Sequence, residues 1–344
     1  MADGQECPRP SGAGTGMTKA SIAQAQAAVA AALRGEGVAE QAALSVACAL
    51  VGAEADGLKG HGLSRLPSYL SQVRSGKIDP SAVPVAESVA TSVLRIDAAH
   101  GFAYPALDLA VEQLPAIARE TGIAAASIHR SHHCGAAGLV VERLAEQGLA
   151  ALLFANTPAA IAPWGGTTAL FGTNPIAFAC PRTNGAPIVI DMSLSKVARG
   201  NIMAAKQKGT PIPEGWALDA QGQPTTDPVA ALAGTMLPLG DAKGTALALM
   251  VELLAAGLTG AQYAANASSF LDDQGGPPST GQLIITLDPR VLGGSSTLSH
   301  VEHLAAAIEA QQNARIPGSR RIAQRRKAAA EGIELPETLL SRIA

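Results

Sequence analysis

Between residues 91 and 158 the chain alternates short apolar runs of strand length with amphipathic stretches closed by glycine. "TSVLRIDAAHG" (91–101) reads as a strand and turn, and "AYPALDLAVEQLPAIARETG" (103–122) as a helix ended by Gly122. "IAAASIHRS" then reads as a strand, "GLVVERLAEQG" as a helix ending at Gly148, and "LAALLFANTP" as a further strand. Such alternation restricts the fold to the α/β or α+β classes, in which helices cover a sheet. Ala-rich helical spacing precedes it over 21–55. A buried strand at 186–193, a turn-rich excursion at 209–232, an apolar helix at 240–260 and a last strand at 281–289 follow. A helix from 299 to about 313 and a basic terminal helix close the chain, and no fixed-period repeat is visible.

At 344 residues, 47% apolar and 15% charged, the chain predicts two lobes, a large core and surface hidden in an oligomer. The apolar stretch at 245–260 carries Glu252 and falls short of the roughly 20 residues a membrane span needs. A net charge of −3 without a basic block leaves no nucleic-acid footprint. Cys7, Cys48, Cys134 and Cys180 lie far apart with no CxxC pair, which predicts reduced thiols and a cytoplasmic location. The first residues lack the apolar run of a secretory signal, so 1–17 reads as a disordered leader.

No glycine-rich loop stands between a strand and a helix, as the Rossmann phosphate cradle requires; "SGAGTG" (11–16) and "GGSS" (293–296) sit elsewhere. His61, between Gly60 and Gly62, suits a proton donor with Arg65 as a carboxylate fork, or else a turn histidine and a surface arginine. In "SHHCGAAG" (131–138) adjacent histidines offer no metal-ligand spacing, and Cys134 has no acid partner in sequence for a thiol nucleophile. A strand-to-helix turn remains. There His133 touches a ligand and Gly135, Ala136 and Ala137 admit it to the backbone, or the turn merely packs. Thr173 and Asn174 form a polar corner before Pro175. Asp191 ends a strand, as a functional acid or a helix cap, and Lys243 is an anion contact or a solvated lysine.

In order, "HGLSRLPSYL", "SHHCGAAG", "APWGG", "FGTNPIAF", "VIDMS", "EGWALDAQGQPTTDP", "LPLGDAKG" and "PGSRR" resemble the type 2 malate/L-lactate dehydrogenases, from about residue 20 onward. Relatives within that family include sulfolactate, ureidoglycolate and cyclic-imine enzymes. The resemblance implies a non-Rossmann NAD(P)-binding fold with a largely antiparallel central sheet flanked by helices. It further implies a homodimer with the site at the subunit interface.

Carried over by motif, His61 looks like the proton donor or acceptor, with His133 given that role in some relatives. Arg65 and Thr173 look like substrate-carboxylate contacts. His133, Cys134, Gly135, Ala136, Ala137, Thr157, Asp191, Met192, Ser193, Lys243, Pro317, Gly318 and Arg320 look like cofactor contacts, with Cys134 a bystander thiol. The implied division is a substrate region at 18–125, a cofactor-binding domain at 126–290 and a helical segment at 291–344 that packs back on the first.

Two departures stand out. Gly60 replaces the serine that many relatives carry before the histidine, and Asn201 stands where cyclic-imine reductases have an aspartate completing the catalytic relay. Lys59 and Lys196 are extra cations suited to a second anionic group. The expected activity is hydride transfer between NAD or NADP and C2 of a small 2-hydroxy/2-oxo acid of malate, lactate or sulfolactate type. Arg320 and Arg321 favour the 2′-phosphate of NADP. The alternatives are reduction of a cyclic imino acid, or a catalytically silent cofactor-binding dimer.

Overall fold

The computed structural model of the protein describes residues 16–342, so residues 1–15 of the expected leader lie outside the described residues, while Met17, expected within it, opens a strand paired with Pro336. A strand β1 (Met17–Ala20) and helices α1 (Ile22–Arg34) and α2 (Glu40–Ala55) lead through two 3-10 turns into α3 (Leu66–Arg74). Next come β2 (Val85–Ala90), β3 (Val93–Asp97), α4 (Ala103–Thr121), β4 (Ile123–Ser131), α5 (Ala137–Glu146), β5 (Ala150–Ala155), β6 (Ile176–Cys180) and β7 (Ile188–Met192). A small lobe holds α6 (Arg199–Lys208), β8 (Ala217–Leu218), β9 (Pro224–Thr225), α7 (Pro228–Ala233) and β10 (Thr235–Met236). The chain continues with α8 (Asp241–Glu252), β11 (Thr280–Leu287), α9 (Pro289–Gly293), α10 (Thr297–Glu309), α11 (Ser319–Glu331), β12 (Ile333–Pro336) and α12 (Glu337–Leu340).

Local chemistry sets the boundaries. Ser21 and Gln24 form a reciprocal capping box at the head of α1, and Gly122 ends α4 at φ 82°. The central sheet runs β2-β3-β4-β11-β5-β6-β7 and is antiparallel except for β3 against β4, the pair bridged by α4. β11 arrives from far along the chain and fills the gap between β4 and β5. Leu107, Leu114, Val141 and Leu144 of α4 and α5 cover one face of the sheet in its main core. Ala248, Val251 and Ala255 cover Phe154, Leu283 and Ile285 on the other.

Because β4 and β5 both run antiparallel to β11, their C-terminal ends lie at one end of the sheet. The same pairing logic brings the start of β6 and the end of β7 to that end.

The fold departs from the sequence pattern in three places. The stretch "NPIAF" is not only a corner: it runs on into β6, whose alternating inward residues Ala177 and Ala179 are small enough to lie flat on α5. The 186–193 strand is not buried throughout; β7 is a sheet edge with Asp191 and Met192 exposed. The helix expected over 240–260 changes at Glu252 into a π turn over Leu253–Gly257, where Leu258 N bonds Leu253 O.

The turn-rich excursion folds into the small lobe around Ile161, Ile202, Ile212 and Met236. At the C-terminus β12 pairs with β1 and Ala328 of α11 joins the core of the N-terminal helices. Among the described residues no helix is long and apolar enough to cross a membrane.

Candidate active site

Gly62 lies so close to Glu54 that a Cβ would overlap its carboxylate, which accepts the Leu63 N–H at 3.0 Å. This approach pins the double turn that turns His61 inward. Nothing crowds Gly60. Arg65 Nε donates to Gly60 O at 2.7 Å, while its buried Nη1 has no partner among the described residues. Pro67 starts α3, which presents Tyr69 and Gln72 on one face to the turn after β4.

That turn holds His132 and His133, both buried. The rings of His61 and His133 stack with centroids 5.3 Å apart. His133 Nδ1 lies 2.7 Å from Tyr69 Oη, which lies 3.0 Å from Tyr104 Oη. His132 Nε2 donates to Gln72 Oε1 at 2.7 Å, and Gln72 Nε2 donates to Phe270 O at 3.0 Å. Burial first, then the Arg65 charge, pushes His61 down to about 4. The same two causes, in the same order, hold His133 well below its ordinary range. His61 Nδ1 is buried without a partner. The pair therefore rests neutral at neutral pH beside a guanidinium whose Nη1 is free, an arrangement able to take a proton from a carbon-bound hydroxyl next to a carboxylate.

Burial lifts the Cys134 thiol to about 12, with Asp191 adding to the shift, so it is a poor nucleophile. Gly135 stands at φ 69°, and a Cβ there would come within 2.6 Å of Tyr104 Oη, so glycine is required. Gly138 N, in the first turn of α5, donates to Asp191 Oδ2 at 2.7 Å. Asp191 thus acts as a cap supplied from another strand. Val189, Asp191, Arg315, Pro317, Gly318 and Arg320 line a cavity of about 240 Å³.

Arg321 reaches the same cavity but pairs with Glu142 at 3.0 Å and lies 3.6 Å from Asp56. These ion pairs leave the cavity's exposed cations as Arg320 and Arg315, the second of which the sequence reading missed.

The polar corner forms a third group. Thr173 N donates to Thr157 Oγ1 at 2.9 Å, and Asn174, at φ 39°, places Oδ1 3.3 Å from Thr157 N. Behind it Glu252 accepts from Asn174 Nδ2 at 2.8 Å, Asn156 Nδ2 at 3.3 Å and Ala264 N at 2.6 Å. Leu194 N donates to Thr173 O, and Leu239 N to Leu194 O, which draws Met192, Ser193 and the Lys243 loop to this corner.

All three groups occupy the sheet end defined above. Gln282 Nε2 bonds His132 O while Gly281 N bonds Asn156 Oδ1, so the head of β11 braces two of them.

Other candidates stand apart. Asn201 is exposed on α6 and, among the described residues, bonds neither histidine. Lys59 lines a separate cavity of about 590 Å³ with Glu54, Leu70 and Pro336. Lys243 is exposed in the first turn of α8. Lys196 is exposed, while Arg199 is half-buried with Nε unpartnered. Among the described residues no three His, Cys, Asp or Glu side chains converge as a metal site.

The family model described as malate/L-lactate dehydrogenase matches residues 20–344. The (2R)-3-sulfolactate dehydrogenase (NADP(+)) of Chromohalobacter salexigens is 53% identical over 323 residues, covering 94% of this chain and 96% of that protein. The structure of delta1-piperideine-2-carboxylate reductase from Pseudomonas syringae pvar. tomato superposes with a TM-score of 0.89 at 39% identity, covering 95% of this chain and 98% of that one. Sulfolactate dehydrogenase from Methanocaldococcus jannaschii follows at 0.85 and 29% identity, covering 95% of both chains.

Proposed function

The chain belongs to the malate/L-lactate dehydrogenase family, and on that premise we propose that it is an NADP-dependent dehydrogenase of a small 2-hydroxy/2-oxo acid, of the 3-sulfolactate type. The observation that carries the reading is the neutral His61–His133 stack beside the unpartnered Nη1 of Arg65.

The residues present fit a phosphorylated dinucleotide. Arg321 lines the cavity with its Nη1 buried and unpartnered among the described residues, while Glu142 and Asp56 hold the rest of its guanidinium. Arg315 and Arg320 give the adjoining cavity two cations for a further phosphate. The nicotinamide, when bound, supplies or accepts the hydride at the substrate's C2. Arg65 binds the C1 carboxylate with its free Nη1, and Thr173 closes the other side of the substrate. His61 holds or releases the proton of the C2 oxygen, and His133 backs its ring. The 53% identity to a (2R)-3-sulfolactate dehydrogenase supports a sulfonate substituent on C3 over a plain methyl. The exposed Leu249, Met250 and Leu253 of α8 and its π turn support burial of that helix in a homodimer.

The test is a steady-state panel of 3-sulfopyruvate, oxaloacetate, pyruvate and Δ1-pyrroline-2-carboxylate, each with NADH and NADPH. The highest kcat/KM is expected for sulfopyruvate with NADPH. A higher value for the cyclic imine replaces the substrate assignment, and oxidation of neither cofactor by any substrate ends the enzyme reading.

A further inference from the structure

The segment 267–279, between the π turn and β11, crosses the histidine site as a strap. It carries Phe270, which is 7% exposed, with its ring centroid 5.0 Å from that of His132 and 5.3 Å from that of His133. A strap without helix or sheet bonds needs another source of rigidity. Lys77, just after α3, supplies it.

Lys77 is 1% exposed, and its Nζ donates to three strap carbonyls: Ser269 O at 2.6 Å, Gln274 O at 2.8 Å and Asp272 O at 3.1 Å. Three acceptors consume the three protons of an ammonium, whereas a neutral amine has only two to give. The Asp272 carboxylate stands 3.7 Å away and completes the cage. Two further ties fix the strap to the same face: Ser71 Oγ to Asp273 Oδ2 at 2.7 Å, and Gln72 Nε2 to Phe270 O at 3.0 Å. Gln72 is also the partner of His132, so cage, strap and histidines form one connected body.

We propose that Lys77 is a positioning residue of this active site: its caged ammonium holds the strap so that Phe270 walls the His132–His133 pair from water. The inference rests on those histidines belonging to the reacting site. Because the cage recognises an ammonium through carbonyl oxygens, a small cation from solution can replace the side chain once it is removed. A residue that merely filled space would not show this behaviour.

The experiment uses Lys77→Ala in the full chain, with and without 100 mM n-propylammonium, and tetramethylammonium as a control that cannot donate hydrogen bonds. Amide exchange of residues 269–276 is expected to quicken at least tenfold and kcat to fall at least tenfold. NADPH affinity, set at the arginine cavity, should change less than twofold. Propylammonium should restore both exchange protection and kcat, and tetramethylammonium neither.

Wild-type exchange and turnover in the variant would overturn the proposal, as would losses that propylammonium leaves uncorrected. Should the wild type prove inactive on every substrate, the exchange and its rescue still decide the cage. Should Lys77→Ala fail to fold, Phe270→Ala decides: loss of kcat with protection retained at 272–276 supports the wall, and full turnover overturns it.

Discussion

The imidazole of His61 lies on that of His133 with 18° between their planes and 5.3 Å between centroids. Two rings that close cannot both carry charge in a buried site that already holds Arg65, so the stack handles one proton at a time. His61, with Nδ1 unpartnered, is the member free to exchange it; His133 Nδ1 is engaged by Tyr69. His61→Ala is therefore expected to lower kcat by roughly 10²–10⁴-fold, the usual worth of a general acid–base. NADPH affinity measured by fluorescence titration should be nearly unchanged. Turnover surviving in that variant moves the proton to His133.

Acid should unfold this protein through the same histidines. Burial, more than any neighbouring charge, brings His61 to about 4 and His132 to about 3, against an ordinary value of 6.5. The folded values lie below the unfolded one, so the unfolded chain takes up protons first as pH falls. Stability is then complete above about 6.5 and lost progressively through 4 and below. Denaturant midpoints at pH 7.5, 6.5, 5.5 and 4.5 should fall in that order, and a flat series would show that the histidines are not held neutral.

Arg320 and Arg315 are the residues expected to separate the two cofactors. Each is exposed in the cavity beside Asp191, whereas Arg321 is spent on Glu142 and Asp56. Losing one charge-assisted contact costs about 1.5–3 kcal/mol. Arg320→Ala should therefore raise the KM for NADPH by roughly 10- to 100-fold while leaving that for NADH within about twofold. Equal effects on both would place the residue away from the 2′-phosphate.

The two glycines around His61 should behave oppositely. Gly60 has no neighbour within 4 Å of an added Cβ and no positive φ, so Gly60→Ser should keep or raise stability by up to about 1 kcal/mol. Gly62→Ala drives a methyl against Glu54 and should cost about 1–3 kcal/mol. Thermal unfolding of the two variants checks the contrast. Packing leaves room at residue 60 for the serine that the resemblance leads one to expect, so the missing hydroxyl is a matter of chemistry rather than fit.

Much of this was legible in residues that carry their own local signal. Gly122, Gly148 and Pro67 mark helix boundaries, and the strand–helix alternation gives the sheet and its covering layer. The family resemblance grouped His61, His133, Arg65 and Thr173 as one site, while strand pairing shows which end of the sheet the turn after β4 and the corner before β6 share. What stayed hidden depends on partners distant in sequence. Lys77 looks like any solvated lysine until residues 269–274 close over it, and Arg315 looks like a tail charge until it faces β7. Tyr69 and Gln72 show helical spacing, but nothing local says that they meet two histidines some sixty residues on. Lys59, two residues before His61 in sequence, faces another cavity because a 3-10 turn sends nearby side chains in different directions.

Glu252 is the sharpest case, since in the sequence it served only to argue against a membrane span. In the fold its carboxylate satisfies Asn156, Asn174 and the Ala264 N–H, and holds Asn174 at φ 39° behind Thr173. Glu252→Ala leaves the Ala264 N–H unpaired and takes one acceptor each from Asn156 and Asn174, which keep Gln262 O and Ala248 O, a loss of about 3–5 kcal/mol for a buried network. Glu252→Gln keeps the shape but points an amide donor at one of the asparagine donors, which should cost less, about 1–3 kcal/mol. Both should raise the KM for the oxo acid more than they lower kcat, because in the proposed function the corner positions the substrate and moves no proton. Chemical denaturation and steady-state kinetics on the two variants check the ranking, and an unchanged KM in Glu252→Gln would detach Thr173 from substrate binding.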